Sequence, residues 1–378
     1  MSASKARYIM IGGFLGAGKT TAVAALAARL TAQGLRVGLI TNDQSRDLVD
    51  TSILRKRGYA VEEIAGGCFC CRFQSLNEAA ERLTAETKPE IFIAEPVGSC
   101  TDLLATVSYP LRRIHGDRFV IAPLSVMVDP ARARRILGLD SGRSFSEKVI
   151  YVYEKQLEEA GSIVINKCDR YSAQEIEELR ARLAERFPSA DVLSVSALEE
   201  NGLDPWFDRL LEEEDHSAPT MAVDYQLYAE GEALLGWLNL TASLRSAELV
   251  DGNALLLAIS ERVLAQLEER SLEIAHFKLT LDSPGAGGQL AALSVTSNQT
   301  GVDVREALID GVREGELILN LRAEAAPELL LEISREALAK VAASIQGLSM
   351  EIQHEEHFRP SPPVPTHRIE VPAEGGAA

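Results

Sequence analysis

The sequence predicts an α/β protein: a doubly wound, mostly parallel sheet, followed by a smaller α+β domain of ferredoxin-like order. Three observations predict it. Short Ile- and Val-rich runs alternate with helical patterns as far as residue 214. Those runs lack polar alternation, which marks strands covered on both faces, as in a parallel sheet between helices. After the charged, Pro-terminated stretch Glu212-Glu213-Glu214-Asp215-His216-Ser217-Ala218-Pro219, the order of elements changes.

In the first part, strands are expected at 7–12, 35–41, 59–64, 90–94, 118–128, 162–165 and 190–195. Helices are expected near 18–33, 46–57, 74–87, 101–108, 146–160, 172–186 and 203–213. Ligands of such sheets bind where the carboxyl ends of the strands meet loops, here 12–20, 41–46, 65–72 and 95–100. The second part reads as a strand-like stretch (223–243), a helix (252–270), strands (272–282, 289–297 and 315–323), a helix (327–344) and a strand (348–358). Ser283 to Gly288 reads as a hairpin loop. The domain expectation is 1–214, a linker at 215–222, 223–358, and a Pro-rich tail at 359–378 that is extended or disordered.

Composition bounds the function. The 378 residues are 46% hydrophobic and carry a net charge of −18, enough for two real cores. Residues 220–378 hold 11 Lys+Arg against 24 Asp+Glu, so no basic stripe is offered to nucleic acid or an anionic membrane. No run approaches the roughly 20 apolar residues of a membrane helix. Lys5 and Arg7 before an apolar run imitate a signal peptide, but cleavage there would destroy the motif that follows. Cysteines stand at 68, 70, 71, 100 and 168. An odd number, three of them crowded together, fits a reducing cytoplasm and metal or redox chemistry rather than a disulfide framework.

Gly13-Phe14-Leu15-Gly16-Ala17-Gly18-Lys19-Thr20 follows a strand and opens a helix, which makes it a P-loop and the sheet one of the P-loop NTPase kind. The candidate phosphate cradle is Gly13, Gly16, Ala17, Gly18, Lys19, Thr20 and Thr21. Its glycines let successive N–H groups turn toward an anion, and the helix N-terminus adds its field. Lys19 is expected on the β- and γ-phosphates and Thr20 on Mg²⁺. Asn166-Lys167-Cys168-Asp169 follows another strand. An Asp at its end accepts from guanine N1–H and the exocyclic amine and finds no such pair on adenine. Ser196-Ala197, after the next strand, is a further base-contacting segment.

Glu95-Pro96-Val97-Gly98 closes a strand. Glu95 is a candidate for holding Mg²⁺ or orienting water, and Gly98 for approaching the γ-phosphate. Asp43, after Asn42, is a second candidate carboxylate. Ser99 and Asp102 read as a helix cap. Gly66-Gly67-Cys68-Phe69-Cys70-Cys71 brings three soft donors to one loop, favouring Zn²⁺, Co²⁺ or Cu⁺ over hard cations. Small buried hydrophobes, a redox pair or an adjacent disulfide are the plainer readings. Cys100 and Cys168 read as packing residues, and His354 and His357 as residues on opposite faces of a strand.

Together, the P-loop, Glu63 before Gly67-Cys68-Phe69-Cys70-Cys71, Glu95-x-x-Gly98 and Asn166-Lys167-Cys168-Asp169 resemble the CobW-type metallochaperone GTPases. These are relatives of the nickel-delivery GTPases for urease and hydrogenase, and the resemblance covers about residues 7–214. It implies GTP hydrolysis with Mg²⁺ and a transition metal, Zn²⁺ or alternatively Co²⁺, on Cys68, Cys70 and Cys71. It also implies a client metalloprotein or cofactor-assembly protein as partner and a smaller C-terminal α+β domain. Asn42-Asp43-Gln44-Ser45-Arg46 departs from the family's usual stretch, and the His-rich loop of many members is absent. An ATPase or small-molecule kinase, and a regulatory GTPase with a structural cysteine loop, are the alternatives.

Overall fold

The computed structural model describes residues 5–43, 54–55, 58–215, 219–284 and 289–372; the side chains of Asp43 and Ala65 lie outside that description. The helix expected at 46–57, the stretch Gln44-Ser45-Arg46, most of the loop at 283–288 and the end of the tail therefore fall largely outside the described residues. The chain divides into two units. One comprises residues 1–142, 146–229 and 361–378, the other residues 143–145 and 230–360.

The first unit is built on a parallel sheet. Its strands are β1 (Ala6–Gly13), β2 (Val37–Asp43), β3 (Ala60–Ala65), β4 (Ile91–Glu95), β5 (Phe119–Ile121), β6 (Ser125–Val128), β7 (Ser162–Ile165) and β8 (Asp191–Ser194). They lie in the order β3-β2-β4-β1-β6-β7-β8, and β5 also pairs with β1. The single strand expected at 118–128 is two. Residues Ala6–Tyr8 of β1 pair with β5, and Ile11–Gly13 pair with β6. Pro123 lies between them and has no N–H to continue a ladder.

Helix α1 (Lys19–Ala32) follows β1, and its Ala22, Val23, Leu26, Ala27 and Leu30 are buried on one face. That face meets Ile9, Ile11, Leu39, Ile93 and Val164 of the sheet, with Trp206 and Phe207 of α7 (Leu203–Glu212). Each such fully buried side chain contributes about 2 kcal/mol. Between these helices come α2 (Phe73–Glu86), α3 (Tyr109–His115), α4 (Pro130–Ile136), α5 (Glu147–Glu158) and α6 (Ala173–Arg186). Helix α6 starts on a reciprocal cap: Ser172 N donates to Glu175 Oε2 at 2.8 Å and Glu175 N to Ser172 Oγ at 3.3 Å. The helix expected at 101–108 is a π-helical turn over Leu104–Ser108 that runs into α3.

The strand expected from 223 begins as a helix instead. Asp224 Oδ1 accepts from the N–H groups of Gln226 and Leu227, which caps α8 (Tyr225–Leu234), and the strand β9 follows at Leu235–Val250. The second unit continues with α9 (Gly252–Glu269), β10 (Ile274–Asp282), β11 (Leu290–Val295), β12 (Asp303–Glu306), β13 (Val312–Glu324), α10 (Pro327–Ser344) and β14 (Leu348–Phe358). Its sheet runs β12-β11-β10-β13-β9-β14, and every pair is antiparallel. Within it, β14-β9-β13-β10 forms the β-α-β-β-α-β arrangement. The sheet extends past β10 through β11, expected at 289–297, and through the short β12, which alone of the two the sequence pattern does not announce. Its core joins Leu238, Leu240, Phe277, Leu279, Leu319 and Leu321 to Ile259, Val263, Ile333 and Ala337 of the two helices.

Candidate functional site

The carboxyl ends of β1, β2, β3, β4, β7 and β8 deliver the P-loop, Asn42, the thiol loop, Glu95, the Asn-Lys-x-Asp segment and Ser196-Ala197 to one edge of the sheet. The P-loop glycines hold the left-handed backbone such a loop needs, with φ of 127° at Gly13, 80° at Gly16 and 93° at Gly18. Gly18 precedes α1, whose first turn has no acidic residue and no side-chain cap, so its N–H groups remain available to an anion. Lys19 is buried, and its Nζ donates to Gly13 O at 2.9 Å and to Phe14 O at 3.4 Å. Thr21 lies half-buried in the same helical turn.

Thr20 Oγ1 donates to Glu95 Oε1 at 3.0 Å, bringing a hydroxyl and a carboxylate together beside the loop. All are hard oxygen donors of the kind Mg²⁺ takes. Gly98 presses on the P-loop from the other side: a Cβ there would stand 2.9 Å from Leu15 N. Asn42, in β2, donates from Nδ2 to Ile64 O at 2.8 Å and to Gly67 O at 2.7 Å, and so ties its strand to the thiol loop. The side chain of Asp43 lies outside the described residues.

Asn166 joins three of the sequence motifs. Its Nδ2 donates to Ala17 O at 2.9 Å, and its Oδ1 accepts from Ala197 N at 2.9 Å. A Cβ on residue 18 would stand 2.3 Å from that Nδ2, which is why a glycine is needed there. Lys167, at φ 57°, donates to Gly16 O at 2.9 Å and pairs with Asp129 Oδ2 at 2.6 Å. Burial raises the Asp129 carboxyl, but the Lys167 ammonium and the Arg132 guanidinium outweigh it and hold the group below its ordinary value. Asp169 follows in a short 3₁₀ turn, with Arg170 Nε 3.9 Å from its carboxylate. Ser196 sits across from Asn201 in a small turn. Cys168 donates to Ile165 O at 3.3 Å, and burial pushes its thiol up to about 11.

Asp129 and Arg132 are additions to the residues the sequence singles out. Asp129 caps α4, with Pro130 in the first turn, and Arg132 packs over the Phe14 ring and donates to Leu15 O. The dipeptide Asp-Pro at a strand end is the signal that marks this helix start.

The thiol loop turns on itself, with Cys71 N and Arg72 N both donating to Cys68 O. Its sulfurs stand 2.8 Å (Cys68–Cys70), 3.1 Å (Cys68–Cys71) and 3.7 Å (Cys70–Cys71) apart. Cys68 and Cys70 are buried, while Cys71 reaches the surface. None of the five cysteines is in a disulfide. Hydrogen bonds from Cys100, Cys70 and Cys71 hold the Cys68 thiol well below its ordinary value. The same cluster raises its neighbours: bonding to Cys68 pushes Cys71 up to about 11, and Cys70 rises as well. Three sulfurs this close together are a soft donor set that fits a zinc-type ion. Cys100, expected as a packing residue, is buried.

The Pro-rich tail comes back to the same place. Val364 N donates to Cys71 Sγ at 3.2 Å, Thr366 N to Cys70 O at 2.9 Å, and Thr366 Oγ1 to Cys71 O at 3.1 Å. His367 meets the Phe73 ring edge-on, and Arg368 Nε pairs with Asp102 Oδ2 at 2.8 Å. Asp102, at φ 63°, also accepts from Tyr225 Oη at 2.6 Å. Residues 359–372 are extended, without helix or strand, but they are held along this path rather than loose. Among the described residues, Cys68, Cys70 and Cys71 are the one group of three or more metal-type donors within 4.8 Å of one another. No described helix is long and apolar enough to cross a membrane.

Comparison with known proteins agrees with this geometry. Residues 7–194 match the family model described as CobW/HypB/UreG, nucleotide-binding domain. A protein named zinc chaperone CobW from a Sinorhizobium species is 28% identical over 198 residues, 47% of this chain and 55% of that protein. The zinc chaperone YeiR of Escherichia coli K12 is 29% identical over 171 residues, 43% of this chain and 47% of that protein. The chain thus spans about half the length of the curated relatives it matches. Among solved structures, the Zn(II)-bound YjiA GTPase from E. coli is 14% identical, covering 90% of this chain and 99% of its own, with a TM-score of 0.37. Through the match over 7–194, the chain belongs to the CobW/HypB/UreG family that its motifs resemble.

Proposed function

We propose that this protein is a GTP-hydrolysing metallochaperone. It takes a transition metal, Zn²⁺ or Co²⁺, on Cys68, Cys70 and Cys71 and couples the state of its nucleotide to release of that metal to a client metalloprotein or cofactor-assembly protein. The observation that carries the reading is the closeness of a soft-donor cluster to a phosphate cradle in one unit. Asn42 bonds to Gly67 at the foot of the thiol loop, and Gly98 presses on Leu15 of the P-loop. The zinc-chaperone names of the relatives support the same reading.

In this reading Gly13, Gly16, Ala17 and Gly18 cradle the phosphates, and the buried Lys19 turns from the loop carbonyls to their charge. Thr20 and Glu95 are the residues that would hold Mg²⁺, with Asp43 as a further carboxylate. Bound there, Mg²⁺ supplies charge neutralisation at the β- and γ-oxygens. Asn166 and Lys167 brace the base-binding side, Asp169 accepts from guanine, and Ser196-Ala197 flanks it. Gly98, two residues before Cys100, senses the γ-phosphate, so a bound triphosphate alters the metal site through the turn it shares.

The test is the Zn²⁺ affinity of the full chain with a non-hydrolysable GTP analogue against GDP. Different affinities support coupling, and equal ones sink it. Competition by ATP at the level of GTP would replace the GTPase reading with an ATPase or kinase.

A further inference from the structure

Residues 364–371 belong to the first unit and meet it with their backbone. Val364 N donates to Cys71 Sγ at 3.2 Å, Thr366 N to Cys70 O at 2.9 Å, Ile369 N to Ala105 O at 2.8 Å and Val371 N to Thr220 Oγ1 at 3.1 Å. Pro362, Pro363, Pro365 and Pro372 punctuate the stretch. Proline fixes φ and donates nothing, so the segment is extended before it docks and loses little freedom in docking. Its hold comes from main-chain hydrogen bonds, the mode by which extended peptides add to a protein surface. Val364 is 73% exposed, and Thr366, His367 and Glu370 are exposed as well. A segment with so little buried side-chain surface opens at low free-energy cost.

One side chain sets the hold. Arg368 Nε donates to Asp102 Oδ2 at 2.8 Å, and Arg368 Nη2 to Met221 O at 3.1 Å. Asp102 is buried, so here the tail satisfies a buried charge. Tyr225 Oη donates to the same Oδ2 at 2.6 Å, and the carboxylate keeps that partner when the guanidinium leaves. Asp102 follows a segment whose carbonyls at Gly98 and Cys100 accept from Gln156 Nε2 at 3.0 and 2.8 Å. The tail therefore ties the thiol loop to the stretch that begins at Glu95.

We infer that residues 364–371 form a releasable strap on the thiol loop, latched by Arg368 on Asp102, which restrains Cys71 while closed and frees it when the latch opens. Cys71 is the loop thiol that reaches the surface, so a strap hydrogen-bonded to its sulfur governs exchange there. The consequence for a metal rests on reading the thiol loop as a metal site, and the consequence for thiol access does not.

The test is alkylation of the metal-free full chain by iodoacetamide, resolved cysteine by cysteine by mass. Arg368→Ala is expected to raise the Cys71 rate about tenfold, the scale of one hydrogen bond to a charged group, with the Cys168 rate unchanged. A synthetic peptide of residues 361–372 should restore the slow rate at saturating concentration, and the same peptide with alanine for its arginine should not. That rescue separates a strap from a side chain that merely steadies the fold. An unchanged Cys71 rate, an equal acceleration at Cys168, or a peptide without effect overturns the inference. If Arg368→Ala does not fold, Ile369→Pro, which removes the N–H bound to Ala105 O, decides by the same rates and the same rescue. Transfer of Zn²⁺ from the loaded chain to a chelator should quicken in step with alkylation. Faster alkylation in a chain that binds no Zn²⁺ would sink the metal reading and leave the strap standing.

Discussion

Val364 donates its backbone N–H to Cys71 Sγ at 3.2 Å, and Cys71 is the member of the thiol loop that reaches the surface. The bond does more than decorate the loop. Thr366 donates to the carbonyls of both Cys70 and Cys71, so the tail is held against the loop at three points.

Replacing Val364 by proline removes that N–H. The residue lies between Pro363 and Pro365, where an extended backbone already suits proline. A lost hydrogen bond of about 1 kcal/mol corresponds to a factor of about five. Val364→Pro is therefore expected to raise the rate of Cys71 modification by a thiol reagent several-fold, with Cys68 and Cys70 still protected. Mass-resolved labelling kinetics read it, and an unchanged Cys71 rate would show that the tail does not guard the thiol.

Asn166 carries a different kind of weight. Its side chain fills two roles at once, donor to Ala17 O and acceptor from Ala197 N, both buried. Asn166→Ala leaves two buried backbone groups without this partner, at a cost of about 2–4 kcal/mol. The urea midpoint should fall accordingly, and guanine nucleotide binding should weaken with it. A midpoint within error of the wild type would mean that water replaces the amide freely.

Gly98 tests the contact between the Glu95 turn and the P-loop. An added methyl would meet Leu15 N and Leu15 Cδ2, each at 2.9 Å, so either the turn or the P-loop must give way. Overpacking of this sort costs about 1–3 kcal/mol. Gly98→Ala is expected to bind a fluorescent GTP analogue about tenfold more weakly while its far-UV circular dichroism stays the same. Wild-type affinity would show the turn to be independent of the phosphate cradle.

What the sequence discloses about this site is whatever sits within one local pattern. Gly13 to Thr20, Asn166 to Asp169 and Cys68 to Cys71 are each short stretches whose chemistry fixes their spacing, so the order of residues alone makes them visible. The sheet that gathers them is equally legible, because buried parallel strands read as unbroken apolar runs. The partners that complete the site lie far away along the chain. Asn42 for Gly67 and Val364 for Cys71 have no local signature, and Asp129 shows in the sequence only as a helix start, since each is paired by the fold alone. The 223–234 stretch misleads for another reason: its apolar residues fit either period, and the Asp224 cap decides for helix.

Glu159, just past the end of α5, gives a pH signature for the segment beyond Cys100. It accepts from Leu104 N at 3.0 Å and from Thr101 Oγ1 at 3.4 Å, and it is buried. Burial, reinforced by nearby Asp102, raises its carboxyl to about 8 against the pull of those hydrogen bonds. In the unfolded chain the group titrates near its ordinary value of 4.5. Between about 4.5 and 8 the native state therefore holds a proton that the unfolded state has released, and stability falls as pH rises through that window. The full effect amounts to about 5 kcal/mol, and it is absent below the lower limit. Glu159→Gln retains an oxygen for Leu104 N without the titration. It should be more stable than the wild type at pH 8, and the advantage should shrink toward pH 5. Urea midpoints of both proteins at the two pH values measure this; a wild type that gains stability with pH relative to the variant would mean that Glu159 is ionised in the folded protein.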